Sequence, residues 1–232
     1  LRLARPETWL PMSMIGFHRY RRLDGVNIVH GKAVRVAPAD KTVEVQRADG
    51  HTQTLSYDVL LIATGARNGF WRNDTVSSEA EVREQIQGQA AAIAAANPLA
   101  IVGGGPSAVS TASNVKRVYP DKAVHLFFSR DHVLPGYHDA TRMDVTKRLQ
   151  ADGVILHPNH RAEVAPDFQG DRFTSGPLTW QTGQSPFAAE LVVWAIGRVT
   201  PHSAFLPPDM RNEAGFVRVD PYLRVEGYSD IF

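Results

Sequence analysis

Residues 99–109 read Leu-Ala-Ile-Val-Gly-Gly-Gly-Pro-Ser-Ala-Val, an apolar run that meets a glycine turn and then helix-forming residues. Gly103, Gly105 and Ala108 keep the G-x-G-x-x-G/A spacing, with Gly104 between the first two. In that pattern the first glycine permits a tight turn, the second lets a phosphate approach bare backbone, and the small third residue lets helix and strand pack closely. Pro106 suits the first helical position, because its missing N–H would have no partner there and its fixed φ favours the helix. The amides from Ser107 onward then carry partial positive charge toward an anion. Gly103, Gly104, Gly105, Pro106, Ser107 and Ala108 are therefore the candidate pyrophosphate cradle for a dinucleotide.

Three glycines alone are a turn, and it is the flanking pattern that makes them more. Pro106 to Val118 reads as a helix, Tyr119-Pro120-Asp121 breaks it, and Ala123 to Phe128 supplies a second apolar strand, completing a βαβ unit. The alternation continues with a helix over His138 to Ala151, a stop at Asp152-Gly153 and a strand over Val154 to His157. Short strands and turns follow from Glu163 to Gln184, read as a meander, before the apolar strand Leu191 to Ile196. Upstream, Val26 to Val36, Lys41 to Gln46 and Thr52 to Ile62 read as strands, and Ser77 to Ala96 as a helix ended by Asn97-Pro98. The chain also repeats itself: Asp58-Val-Leu-Leu-Ile-Ala-Thr-Gly65 and Glu190-Leu-Val-Val-Trp-Ala-Ile-Gly197 each read as a buried strand ending on a glycine.

Composition excludes several classes of function. With 25 basic against 24 acidic side chains, the net charge of +1 gives no bulk field for nucleic acid or an anionic membrane. The absence of cysteine removes disulfides, thiolate metal sites and any redox dithiol within these residues. Ala90 to Val102 is too short, and too interrupted by Asn97-Pro98, to be a transmembrane segment. The expected location is cytoplasmic, with peripheral membrane contact of the parent protein left open.

Two other constellations compete for the chemistry. Gly105-Pro-Ser107-Ala-Val109 imitates the nucleophile elbow of a serine hydrolase, with His157, His160 and His202 downstream, but Val109 stands where the elbow wants glycine. His157-Pro-Asn-His160 could be offered as a metal pair, against the simpler reading of a turn with two exposed imidazoles. Trp194 reads as core, and so does Trp71, which could otherwise line a cleft. Arg19, Arg21 and Arg22 with Tyr20 read as a solvated basic surface or a contact with a neighbouring domain.

Taken together, the Gly103 fingerprint, the two glycine-ended strands, Gly215-Phe-Val-Arg-Val-Asp220 and the run from Tyr222 to Phe232 resemble the FAD/NAD(P)-dependent pyridine nucleotide-disulfide oxidoreductases. Val115 to Leu126 is most similar to the branch of apoptosis-inducing factor, ferroptosis suppressor and type II NADH dehydrogenase. The resemblance spans residues 50 to 232. It implies an α/β fold: a Rossmann-like parallel sheet with helices on both faces and a β-meander, plus strand-rich remnants of a flavin-binding domain. The implied division is 1–74 as part of the FAD-binding domain, 75–205 as the NAD(P)H-binding domain and 206–232 as a return toward the first. The implied activity is transfer of hydride from NAD(P)H to FAD, with electrons passing to a quinone or another acceptor.

The chain departs from that family in ways that shape the expectation. No G-x-G-x-x-G precedes Gly103, so the chain reads as a fragment that does not hold FAD tightly by itself. Ser110 and Asn114 stand where many relatives carry glutamates, which leaves the catalytic residues unassigned and keeps open a nicotinamide-sensing or partner-binding module. At the end of the second strand, where an acid would bind the ribose 2′-hydroxyl of NADH, the chain has Phe128 followed by Ser129-Arg130-Asp131. A hydroxyl beside a guanidinium suits a 2′-phosphate, so the reading leans toward NADPH over NADH. Gly197 is expected near the middle of the dinucleotide, and a homodimer is among the assemblies left open.

Overall fold

The computed structural model describes residues 4–67, 75–166, 168, 170, 172–196 and 199–232. In chain order the elements are α1 (Pro6–Ser13), β1 (Lys32–Ala37), β2 (Thr42–Gln46), β3 (Thr52–Ser56), β4 (Ala66–Arg67), α2 (Glu79–Ala95), β5 (Leu99–Val102) and α3 (Pro106–Val118). They continue with β6 (Val124–Phe127), α4 (Asp139–Ala151), β7 (Ile155–His157), β8 (Thr174–Leu178), β9 (Phe187–Trp194) and β10 (Thr200–Pro201). The described residues form two compact units, one drawn from Leu1–Gly16 and Glu79–Gly197, the other from Phe17–Ser78 and Arg198–Phe232.

The first unit is built on a five-stranded sheet of order β7-β6-β5-β9-β8, in which the first four strands run parallel and β8 pairs antiparallel at the edge. Parallel strands are joined by crossovers that cover both sheet faces, so a central strand must be apolar throughout. All four residues of β5 are buried for that reason. One face carries Ala100, Val102, Phe127, Val192 and Trp194, packed against Leu178 and Trp180 of the meander. Helix α3 lies against β5 and β6, burying Ala108, Ala112 and Val115 at i, i+4, i+7 spacing. Small residues at two of those positions let the helix sit close to the sheet.

Polar side chains fix the joints between these elements. The Asn97 side-chain carbonyl accepts from Ala123 N (2.8 Å), while Asn97 N donates to a Glu190 carboxylate oxygen (2.9 Å), tying the segment after α2 to the start of β6 and the middle of β9. Lys122, 7% exposed, donates to the carbonyls of Ala94 and Ala96, which satisfies acceptors that a helix end leaves without intrahelical partners. Burial lowers its pKa, against a smaller raising effect from Glu190.

The second unit holds the antiparallel sheet β1-β2-β3, the small β4–β10 pair, and a core of Val36, Leu206, Met210, Val225 and Ile231. Here the sequence reading needs correction. The strand expected over 26–36 starts only at Lys32, and Val26 and Ile28 ahead of it are exposed rather than part of the core. The strand expected over 52–62 ends at Ser56. The segment 58–65, expected as a buried strand, makes one parallel bridge, Leu60 to Ile231, flanked by Leu60 N to Asp230 O and Ile62 N to Phe232 O. Leu60 and Ile62 face the core, whereas Val59 (64%) and Leu61 (73%) are exposed. The matching segment in the first unit behaves otherwise, since Leu191 to Trp194 are all buried between two neighbouring strands. The same apolar pattern therefore has two outcomes, set by whether the second face has a cover.

Candidate nucleotide site

The glycine turn connects the end of β5 to the start of α3, at the carboxyl edge of the parallel sheet where such folds bind ligands. Gly103 has φ +145°, and its N–H donates to Phe127 O (2.8 Å). A Cβ at Gly103 would be driven into the Ala195 carbonyl, with the Ala195 carbon 2.9 Å away, so this position admits only glycine. At Gly104 a Cβ would lie 3.1 Å from the Phe128 Cβ, a tight but yielding contact. Gly105 caps α3 with φ −83° and has nothing within 4 Å of the Cβ position. The turn thus separates two roles: Gly103 is required by the fold, and Gly105 leaves open space in front of the helix. No side chain caps α3 and no acid lies in its first turn, so its first amides face that space with their partial positive charge uncompensated.

Beside the turn lies a cavity of about 320 Å³, lined by Gly103, Gly104, Phe128, Ser129, His160 and Arg161 among others. Phe128 is buried, and Ser129 and Arg130 are exposed just beyond it. Asp131 does not neutralise Arg130: its carboxylate bonds to His132, which holds its pKa below the usual range, while Arg142 donates to the other His132 ring nitrogen (2.8 Å). Among the described residues no carboxylate forms an ion pair with Arg130 or with Arg161. The loop that follows is fastened to the turn itself. Leu134, buried and held at φ +55°, donates its N–H to Gly104 O (2.6 Å).

The floor of this region is aromatic. Phe127 stacks on His157 (4.2 Å between ring centroids) and on Trp180 (4.6 Å), and His160 stands edge-on to Trp180 (4.9 Å). His157 and His160 are therefore not the two exposed imidazoles expected of a turn. His157 lies in β7 with one ring nitrogen 2.9 Å from a nitrogen of His125, and burial, then His125 and His160, push its pKa down to about 4. Burial also lowers the pKa of His125. Among the described residues no group of three or more His, Cys, Asp or Glu is arranged to hold a metal ion.

Other candidates fall in varied places. Ser107 is exposed in the first turn of α3, and no hydrogen bond joins it to a histidine: His157 is engaged with His125, and His160 Nδ1 with Pro158 O (2.7 Å). Asn114 donates to the Ser110 hydroxyl (3.1 Å) along α3. Trp194 is buried in β9 and donates to the Thr174 hydroxyl (2.8 Å). Arg19, Tyr20, Arg21 and Arg22 are exposed in the second unit. Gly197 and Trp71 lie outside the described residues. That unit also has a cavity of about 530 Å³ lined by His30, Gly31, Thr64, Val76, His202 and Phe205 among others, in which Thr64 donates to His202 O (2.6 Å). No helix among the described residues is long and apolar enough to cross a membrane.

Sequence reasoning missed Arg161 and Gln181 and weighed His160 only as a hydrolase base or a metal ligand; all three join the turn only through pairing of distant segments. The usable signal was position: His160 and Arg161 follow β7, and loops at the carboxyl ends of parallel strands form the ligand crevice of such sheets.

Comparison with known proteins gives a consistent picture. Residues 13–232 match the family described as pyridine nucleotide-disulphide oxidoreductase. An oxidoreductase from Pestalotiopsis fici, ptaL, is 29% identical over 224 residues, covering 94% of this chain and 57% of its own. Ferroptosis suppressor protein 1 of Taeniopygia guttata is 24% identical, covering 93% of this chain and 58% of its own. The chain thus spans little more than half the length of these curated relatives. Among solved structures, an NAD-dependent persulfide reductase from A. fulgidus superposes with a TM-score of 0.67 at 24% identity, over 93% of this chain and 40% of that one. An engineered water-forming NADPH oxidase, a mutant of the Lactobacillus brevis NADH oxidase, superposes with a TM-score of 0.61 at 18% identity, over 86% of this chain and 44% of that one.

Proposed function

Because the chain belongs to the pyridine nucleotide-disulphide oxidoreductase family, we propose that the unit built around β5 and α3 binds NAD(P)H for an oxidoreductase that passes hydride to FAD and electrons onward to a quinone or another acceptor. The observation that carries this reading is the pairing of Gly103, which the backbone demands, with Gly105, which leaves space in front of uncapped amides. A diphosphate fits there, since its oxygens accept from those amides and its charge meets the positive end of the helix. Bound NAD(P)H supplies the hydride chemistry. The chain supplies position: amides from Ser107 and Ala108 for the diphosphate, and Ser129 with Arg130 for the adenosine ribose.

NADPH is the favoured coenzyme on this reading. Phe128 offers no carboxylate to a ribose 2′-hydroxyl, and among the described residues no carboxylate pairs with Arg130, so a 2′-phosphate finds an available guanidinium. The substitutions that distinguish the engineered NADPH oxidase from its NADH-using parent follow the same chemistry, removing an aspartate and introducing a serine and two arginines. The FAD requirement is met differently. No second glycine turn opening a helix occurs among the described residues of the second unit, so these residues do not cradle the FAD diphosphate and no step is assigned to them through it.

A second reading rests on α3. Ser110 and Asn114 are neutral and bonded to each other, so this helix face offers no carboxylate to relay a proton, which suits a nicotinamide-sensing module. Calorimetric titration with NADPH and NADH tests the site: binding with NADPH tighter is expected, and a folded protein that binds neither refutes it. NADPH oxidation by the full-length protein with added quinone separates enzyme from sensor.

A further inference from the structure

The cavity beside the glycine turn has two walls, and only one belongs to the fingerprint. The second is the segment after β7. Asn159 N donates to Arg130 O (2.9 Å) and His160 N to Phe128 O (2.9 Å), so this segment is stitched to the residues that end β6. Arg161 is then fixed at both ends of its own backbone, its N–H on the Thr182 hydroxyl (3.2 Å) and its carbonyl on Gln181 N (2.8 Å). Gln184 adds a bond to Asn159 O (2.8 Å), and Asn159 itself is held at φ +59°. Such bracing fixes the backbone from which the Arg161 side chain extends, so only the side chain itself has to be ordered on binding.

The charge of the lining points to the ligand. Among the described residues no Asp or Glu lines the cavity, and Arg161 shares it with the Ser129 hydroxyl and the Gly103–Gly104 turn. Arg130 adds a second guanidinium next in sequence to Ser129, and neither arginine is ion-paired among the described residues. A guanidinium in the loop after β7 that lines the same cavity as the Ser129 hydroxyl, with a second guanidinium next to Ser129 in the loop after β6 and no compensating acid among the described residues, matches a phosphate monoester dianion better than a neutral ribose.

We infer that Arg161 is a specificity-determining residue, completing with Ser129 and Arg130 a site for the 2′-phosphate of NADPH that draws on the loops after β6 and β7. This rests on the nucleotide-binding reading above. Phe127 and Trp180 meet the His160 ring edge-on, which fixes the residue that precedes Arg161.

The test is calorimetry on the whole chain with four probes, 2′,5′-ADP, 5′-AMP, NADPH and NADH. Arg161→Gln should weaken 2′,5′-ADP and NADPH by about tenfold or more, as loss of a charge-assisted bond does, and 5′-AMP and NADH by less than about twofold. Equal losses for the two ligand pairs would place Arg161 on a shared part of the nucleotide and overturn the assignment, as would no loss at all. Gly105→Val separates this failure from a deeper one. If wild-type protein binds NADPH, Gly105→Val abolishes it and Arg161→Gln does not alter it, the cradle stands and the role of Arg161 falls. If wild-type protein binds none of the four probes, the nucleotide reading itself falls.

Discussion

Alanine at Gly103, Gly104 and Gly105 should give three different proteins, although the substitutions are chemically identical and consecutive. At Gly103 the new Cβ meets the Ala195 carbonyl, with its carbon at 2.9 Å, and the backbone sits at φ +145°. Forcing an L residue into that region costs about 1–3 kcal/mol, and overpacking against rigid backbone costs about 1–3 more. A loss of roughly 2–6 kcal/mol follows, a large share of the roughly 5–15 kcal/mol that holds a typical domain together. At Gly104 the Cβ lies 3.1 Å from the Phe128 Cβ, which moves only with its backbone, so the end of β6 must give by a few tenths of an ångström and a loss of about 1 kcal/mol is expected. At Gly105 nothing lies within 4 Å and φ is −83°, so stability should change by no more than about 0.5 kcal/mol. Urea unfolding followed by circular dichroism ranks the three, and titration with NADPH is run beside it. The expected order of destabilisation is 103, then 104, then 105, with Gly105→Val retaining the fold while losing the nucleotide. If Gly103→Ala unfolds at the wild-type urea concentration, or if Gly105→Val is the least stable of the set, the division of labour in the turn is wrong.

Three further outcomes can be checked. His157 has a folded pKa of about 4, below the usual imidazole value of about 6.5, so the unfolded chain binds the extra proton between those values. Its stabilising contribution is complete above pH 6.5 and is lost as pH falls toward 4, by about 1–2 kcal/mol for a ring partly screened by solvent; thermal melts across that range should flatten in His157→Phe, and an unchanged slope would exonerate His157. Lys122→Met should lower stability by about 1–3 kcal/mol through the orphaned carbonyls of Ala94 and Ala96, read by urea unfolding, and a variant as stable as wild type would show that water satisfies them. Arg130→Ala should weaken NADPH about tenfold with little effect on NADH, and parallel losses would remove the coenzyme preference.

Local chemistry made the first unit readable. Helix α3 begins at Pro106 and ends at Val118 as expected, because a proline start and a Tyr-Pro-Asp stop act within a few residues of where they stand. Strands β5 and β6 were legible because central parallel strands are apolar on both faces. The second unit was less legible, since pattern alone cannot say whether Val59 and Leu61 find a cover. At the site, the glycine turn was written locally, whereas Arg161 reaches the cavity only because Asn159 and His160 pair with Arg130 and Phe128. No spacing rule announces a partnership between strands separated by a whole helix.

The bond from Leu134 to Gly104 has a consequence for how such a site can change over evolutionary time. The span bearing Ser129, Arg130 and Asp131 is anchored by main-chain atoms and by the buried Val133 and Leu134, none of which depends on the identity of those three side chains. On the proposed nucleotide reading, the part of coenzyme selectivity carried by these three positions can therefore be rewritten by substitution while the glycine turn stays in register. The arrangement works as an interchangeable faceplate on a fixed frame, and a lineage could switch electron donors without first relearning how to fold.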